Sequence, residues 1–195
     1  MIIGILLAAG QGRRIGVPKA LLRLEGETFH ARGLRAFRDA GLETIVVVNR
    51  DVDEALGVAQ VGEHRVLNPD PDHPSGMFES VRLAAGAAIE RDASGALYLP
   101  VDLPLVTPSD IRAVVAILGG GASIVVPTHS ERRGHPIGAS RGVLAEILAS
   151  PASTTLRDIV RRDADRVVEV PASEGAILGV NTPEDLDRVS NRTFR

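Results

Sequence analysis

The chain opens Met1-Ile2-Ile3-Gly4-Ile5-Leu6-Leu7-Ala8-Ala9-Gly10-Gln11-Gly12-Arg13-Arg14-Ile15-Gly16-Val17-Pro18-Lys19, and this stretch decides the fold. Residues 2–8 are a continuous apolar run, far too short to span a bilayer. The run lacks the basic leading segment of a signal peptide and flows directly into a loop of glycine and arginine. It reads as a buried strand, and a cytoplasmic protein is expected. In the loop, Gly10, Gly12 and Gly16 let the backbone curl and aim its N–H groups at one shared anion. Ala8 and Ala9 keep the chain close to whatever lies above the strand. Arg14 adds a planar fork and Lys19 a point charge, together suited to a triphosphate. A glycine-rich turn after a first strand can also be only a turn, and the two cations favour the phosphate reading. The spacing is not the dinucleotide fingerprint, because Ile15 stands where its third glycine belongs. Nor is it a P-loop, since no Gly-Lys-Ser/Thr occurs.

Outward from this loop, strands and helices alternate. A helix is expected over 28–40, with Thr28 as N-cap and Gly41 as its stop. A β-branched strand follows at 44–48, a weaker helix at 51–59 and a short strand at 65–67. A strong helix covers 77–91 and a strand 96–101. Thr107 then caps a helix that opens with Pro108 and carries Asp110 in its first turn. Beyond it lie a strand at 123–126, helices at 141–149, 155–162 and 183–189, and a strand at 166–170. This alternation predicts the α/β class: a mostly parallel sheet with helices on both faces. A single domain over 1–195 is expected, with 127–138 as an inserted lobe or lid. Ligands of such sheets bind at the carboxyl ends of the strands.

Composition narrows the function. The 195 residues are 44% apolar and 24% charged, with a formal charge of −3. Nucleic-acid proteins normally carry a basic excess, so none is expected as partner. Nothing in the sequence reads as a membrane span. The chain has no cysteine, which excludes disulfides, thiolate metal sites and a cysteine nucleophile. The aromatic rings are Phe29, Phe37, Phe78, Phe194 and Tyr98, too few for a base-stacking platform.

Four later segments carry chemistry. Leu99-Pro100-Val101-Asp102-Leu103-Pro104 ends an apolar strand in a carboxylate. A lone turn Asp is usually just solvated, but this position after a buried strand suits a Mg²⁺ ligand. Mg²⁺ takes one or two protein carboxylates and completes its shell with phosphates and water. In 68–80, Gly76 and Met77 mark a helix start whose free N–H groups can meet a base or ribose. A capping loop with Ser75 as N-cap explains the same residues, and Asp70 and Asp72 read as turn chemistry. Arg132-Arg133-Gly134-His135-Pro136 lies in the irregular segment. In 179–186, Thr182 caps a helix begun by Pro183, with Glu184 and Asp185 favourable to its dipole. That leaves Asn181 without a structural role.

The motif Leu-Ala-Ala-Gly-x-Gly-x-Arg-Ile-Gly-x-Pro-Lys resembles the signature of sugar-nucleotide-type nucleotidyltransferases, above all the molybdenum-cofactor branch and its cytidylyltransferases. The resemblance implies a three-layer α/β/α Rossmann-like nucleotidyltransferase fold of the GT-A-like kind. It implies transfer of a nucleoside monophosphate from an NTP, with Leu7, Ala8, Ala9, Gly10, Gly12, Arg14 and Lys19 around the nucleotide. Arg14, Lys19 and Asp102 are then the catalytic residues. Asn68, Gly76, Met77 and Ser80 would line base and sugar, and Asp102 with Asn181 would hold Mg²⁺. Val101 stands where the family often has glycine, and Asn181 where its cytidylyltransferases usually carry Asp. Gly134-His135-Pro136 matches a motif on the acceptor side, so His135 and Arg133, with Arg132 nearby, would meet an anionic acceptor. That acceptor would be molybdopterin, and the product would pass to a molybdoenzyme. Leu-Ala-Ala-Gly accompanies cytidylyl transfer and Leu-Ala-Gly-Gly guanylyl transfer, and the Ala9 methyl leaves less room for a purine, so CTP is expected. The alternatives are guanylyl transfer to the same cofactor, transfer to a sugar or polyol phosphate, and a non-catalytic nucleotide- or cofactor-binding chaperone. Retention of Asp102 and Asn181 argues against the last.

Overall fold

The computed structural model describes residues 1–70 and 76–193. Strand β1 (Ile2–Leu7) runs into the glycine loop, which ends in a 3-10 turn at Lys19–Leu21. A small hairpin, β2 (Arg23–Leu24) and β3 (Glu27–Thr28), leads to helix α1 (Phe29–Asp39). Then come β4 (Thr44–Val48), α2 (Arg50–Leu56), β5 (Glu63–Leu67), α3 (Gly76–Glu90) and β6 (Gly95–Pro100). The second half holds α4 (Pro108–Gly119), β7 (Ile124–His129), β8 (Arg132–Arg133), β9 (Ile137–Ser140), α5 (Arg141–Ala149), α6 (Leu156–Arg162), β10 (Val167–Pro171) and α7 (Pro183–Thr193).

Local chemistry sets the boundaries. The Thr28 hydroxyl accepts from the Ala31 N–H and starts α1. Thr107 and Asp110 form a reciprocal capping box on α4, with Pro108 at its first position. Such caps each contribute about 1 kcal/mol. Thr182 accepts from the Asp185 N–H, while the Asp185 carboxylate accepts from the N–H groups of Asn181 and Thr182.

Among the described residues, eight strands form one mixed sheet in the order β10-β7-β9-β6-β1-β4-β5, with β8 attached to β7. β6, β1, β4 and β5 run parallel. Their carboxyl ends are aligned: Leu7 pairs with Val47 and Pro100, and Val48 with Leu67. The residues that follow, Ala8, Asn49, Asn68 and Val101, therefore emerge along one edge. Alternation along β1 divides the core. Ile3, Ile5 and Leu7 face the side covered by α3, α5 and α6. Leu6 and Ala8 face the side covered by α1 and α4. The mostly parallel α/β architecture is the one expected.

The segment 127–138 departs from expectation. Instead of leaving the sheet as a lobe, β7 continues to His129 and turns at Ser130 and Glu131, with φ of 47° and 62°. The chain returns as β8 and enters the sheet as β9, antiparallel between β6 and β7. The turn has the two left-handed residues of a type I′ hairpin without the Asn-Gly that signals one. β9, Ile-Gly-Ala-Ser, holds a single large apolar residue and offers no pattern to read. The proposed capping residue Ser75, with Asp72 and His73, lies outside the described residues. Among the described residues, no helix is long and apolar enough to cross a membrane.

Candidate active site at the carboxyl edge of the sheet

The glycine loop is closed on itself. Gly12 adopts φ +63°, and a Cβ there would lie 1.8 Å from the Val17 carbonyl oxygen. The Gly12 carbonyl accepts from the N–H groups of Ile15 and Gly16 at 2.9 and 3.0 Å. Asn49 ties this loop to the next strand. Its amide donates to the Ala9 carbonyl at 2.8 Å, and its side-chain oxygen caps α2 by accepting from Val52 N–H. Gly10 and Arg14 are exposed on the loop.

Pro18 hands the chain to the turn that carries Lys19, which reaches across the edge. Lys19 Nζ donates to Asp102 Oδ2 and to Asn181 Oδ1, both at 2.7 Å. Three segments separated by 83 and 162 positions thus meet at one ammonium group. Asp102 is fixed by its place just beyond β6: Val101 N–H donates to the Leu7 carbonyl, and the Asp102 carbonyl accepts from Val180 N–H. The same bond brings Asn181 alongside. Two oxygens converging on one cationic point fit a divalent ion completed by phosphates, since such ions need few protein ligands. Among the described residues no cluster of three or more His, Asp or Glu side chains offers a rival site.

His135 sits on the other flank. Burial pushes its pKa down to about 4, while the Asp102 charge pulls the opposite way. It is therefore neutral at physiological pH and within the electrostatic reach of Asp102. Its backbone N–H donates to the Ala176 carbonyl. Gly134 is required beside it, because a Cβ would lie 2.3 Å from that same carbonyl oxygen. Arg133 is exposed and paired with Glu169 at 2.7 Å.

The α3 side is built differently. Asn68 and Ser80 are buried and bonded to each other at 2.8 Å, and both donate to the Gly76 carbonyl. They hold the start of α3, while the Met77 side chain is exposed. Next to them, a cleft of about 250 Å³ opens between Gln11 of the loop, Asn49, Arg50, Leu67 and Pro69. Gln11, Asn49 and Arg50 carry no motif, and only their position after aligned strands marks them.

Residues 4–167 match the MobA-like NTP transferase domain. The chain belongs to that family. Its members are nucleotidyltransferases, and so is this protein. It is 32% identical over 193 residues to a probable molybdenum cofactor guanylyltransferase of Opitutus terrae, covering 95% of this chain and 93% of the relative. It is 24% identical over 188 residues to the molybdenum cofactor cytidylyltransferase of Escherichia coli K12, covering 96% and 95%. The crystal structure of Rv0371c from Mycobacterium tuberculosis H37Rv in complex with manganese is similar, with a TM-score of 0.79 at 25% identity and coverage of 97% and 98%. In this MobA-like chain, the loop, the β6 terminus and the turn before α7 supply one constellation.

Proposed function

We propose that this protein transfers CMP from CTP to the terminal phosphate of molybdopterin and releases pyrophosphate, with Mg²⁺ as its metal. The observation that carries this reading is the convergence of Lys19, Asp102 and Asn181 at 2.7 Å beside the glycine loop. Names among the family relatives support the acceptor.

The loop N–H groups, Arg14 and Lys19 hold the triphosphate. The base lies in the cleft beside Gln11 and Asn49, and Gly76 and Met77 border its sugar. Asp102 and Asn181 hold the divalent ion, which when bound supplies charge neutralisation on the phosphates. A phosphate monoester is ionised at neutral pH and needs no general base. Its oxygen attacks the α-phosphorus in line, the new P–O bond forms, and the bond to the β-phosphate oxygen breaks. Lys19, drawn off Asp102 and Asn181 by the triphosphate as the ion enters, offsets the growing charge on the departing pyrophosphate. Positioning and electrostatics carry the rate. His135, neutral, orients the acceptor phosphate by hydrogen bonding, and Arg133 adds attraction.

CTP rests on Ala9, which is buried at the head of the loop. Guanylyl transfer is the second reading, favoured by the printed name of the Opitutus relative. Pyrophosphate release with each of the four NTPs and molybdopterin decides between them. CTP should give the highest kcat/KM; a preference for GTP overturns the base assignment, and no release with any NTP overturns the transferase reaction on this acceptor.

A further inference from the structure

A second cleft, of about 340 Å³, lies between the sheet and α6. Its floor is apolar, formed by Val126 and Ile137 of the sheet and Leu156 and Val160 of α6. Its ionisable lining is Arg133, His135, Arg157 and Arg161, with no carboxylate among them. His135 and Ile137 line one end of the cleft, and Ile137 pairs with Tyr98 near the carboxyl end of β6, so that end lies toward the edge that carries Asp102.

Arg157 and Arg161 stand four residues apart and so share one helix face, where like charges repel. Packing of α6 does not need them, because Ile159 and Val160 bury its inner face. Their neighbours are handled differently. Arg162 and Arg166 both close on Glu146. The exposed Asp158, on the same helix, lies within the field of both Arg157 and Arg161. Asp158 is itself engaged with the Thr155 hydroxyl and N–H in the helix cap. A repelling pair of forked cations over an apolar floor fits a flat ring with an anionic or electron-rich edge.

We infer that Arg157 and Arg161 are the acceptor-specificity residues. The acceptor turns its phosphate to His135 and Asp102, lays a planar ring system along the apolar floor, and presents a second electron-rich group to α6. This rests on the transferase reading for the position of the phosphate. It requires more of an acceptor than a phosphate alone.

The test is the affinity of nucleotide-free protein for molybdopterin, read by quenching of the pterin fluorescence, in wild type, R157Q/R161Q, R157K/R161K and the same-helix control R162Q. The glutamine pair should weaken binding about tenfold or more, the loss expected for two charge-assisted contacts. The lysine pair should restore part of it, and R162Q should match wild type. CTP affinity should be the same in all four. Unchanged molybdopterin affinity in R157Q/R161Q, an equal loss in R162Q, or no binding by wild type overturns the inference. Binding by wild type with the predicted arginine effect, but without pyrophosphate release, leaves the inference standing and contradicts the transferase reading instead.

Discussion

Lys19 spends its charge on Asp102 and Asn181, the two residues that would hold a divalent ion. An ammonium and a metal ion cannot share that point, so nucleotide phosphates must draw Lys19 away as the ion enters. Lys19→Met should therefore bind Mn²⁺ more tightly without nucleotide, by about five- to tenfold, the worth of a part-exposed ion pair. Turnover should meanwhile fall about a hundredfold. Electron paramagnetic resonance of free Mn²⁺ measures the first effect, and unchanged or weaker binding speaks against competition. Gly134 has a different constraint, because the obstacle to its Cβ is backbone. Gly134→Ala should cost about 2–3 kcal/mol by overpacking, seen in urea unfolding; full stability would mean that the 3-10 turn carrying Ala176 yields freely. That Lys19 and Asp102 meet was legible in the sequence because each stands in a positional motif, Lys19 beyond the glycine loop and Asp102 just beyond a buried strand. Asn49 was not, because its two tasks, capping α2 and holding Ala9, appear only when β1 and β4 lie side by side.

At the level of elements, caps were legible and pairings were not. Thr28, Thr107 and Thr182 each announce a helix through contacts within four residues. β8 and β9 depend on a Ser-Glu turn and on partners in β6 and β7, so no local pattern reveals them. The helix expected over 51–59 is shorter, Arg50–Leu56, since Asn49 caps it and Gly57 follows with positive φ. That cap also anchors the glycine loop, proposed to hold the nucleotide, which separates two effects. Asn49→Ala removes both bonds and should cost about 2 kcal/mol in stability as well as nucleotide affinity. Asn49→Asp keeps the cap but loses the donor to Ala9, so helix stability should largely survive while nucleotide affinity falls. Calorimetric unfolding and nucleotide titration of both variants check this; equal affinity in Asn49→Asp would detach the loop from α2.

Across the whole molecule, the amino edge of the sheet carries an ion-paired cluster of its own, away from the proposed site at the carboxyl edge. At the amino edge, Glu63 is buried between His30 at 2.9 Å and Arg65 at 2.7 Å. Burial raises its pKa, but hydrogen bonds from His30, Arg65 and the Gln60 N–H outweigh this and bring it from 4.5 down to about 2. Its stabilisation is thus present above pH 4.5 and lost as pH falls through about 2. Glu63→Gln should lower stability at pH 7 by about 2 kcal/mol, with the difference shrinking between pH 4.5 and 2, and kcat unchanged. A difference independent of pH would refute the ionised pairing. His30 and Glu63 come from α1 and β5, so nothing in either segment signals the pair.

The central claim is that the glycine loop, Asp102 and Asn181 form one nucleotide and metal site. Its most direct test compares Asp102→Asn with wild type in nucleotide binding and pyrophosphate release at saturating divalent ion. The variant should bind CTP within severalfold of wild type and lose turnover by about 10³-fold, since phosphates are held by the loop and reactivity by the carboxylate. Turnover within tenfold of wild type would contradict the account.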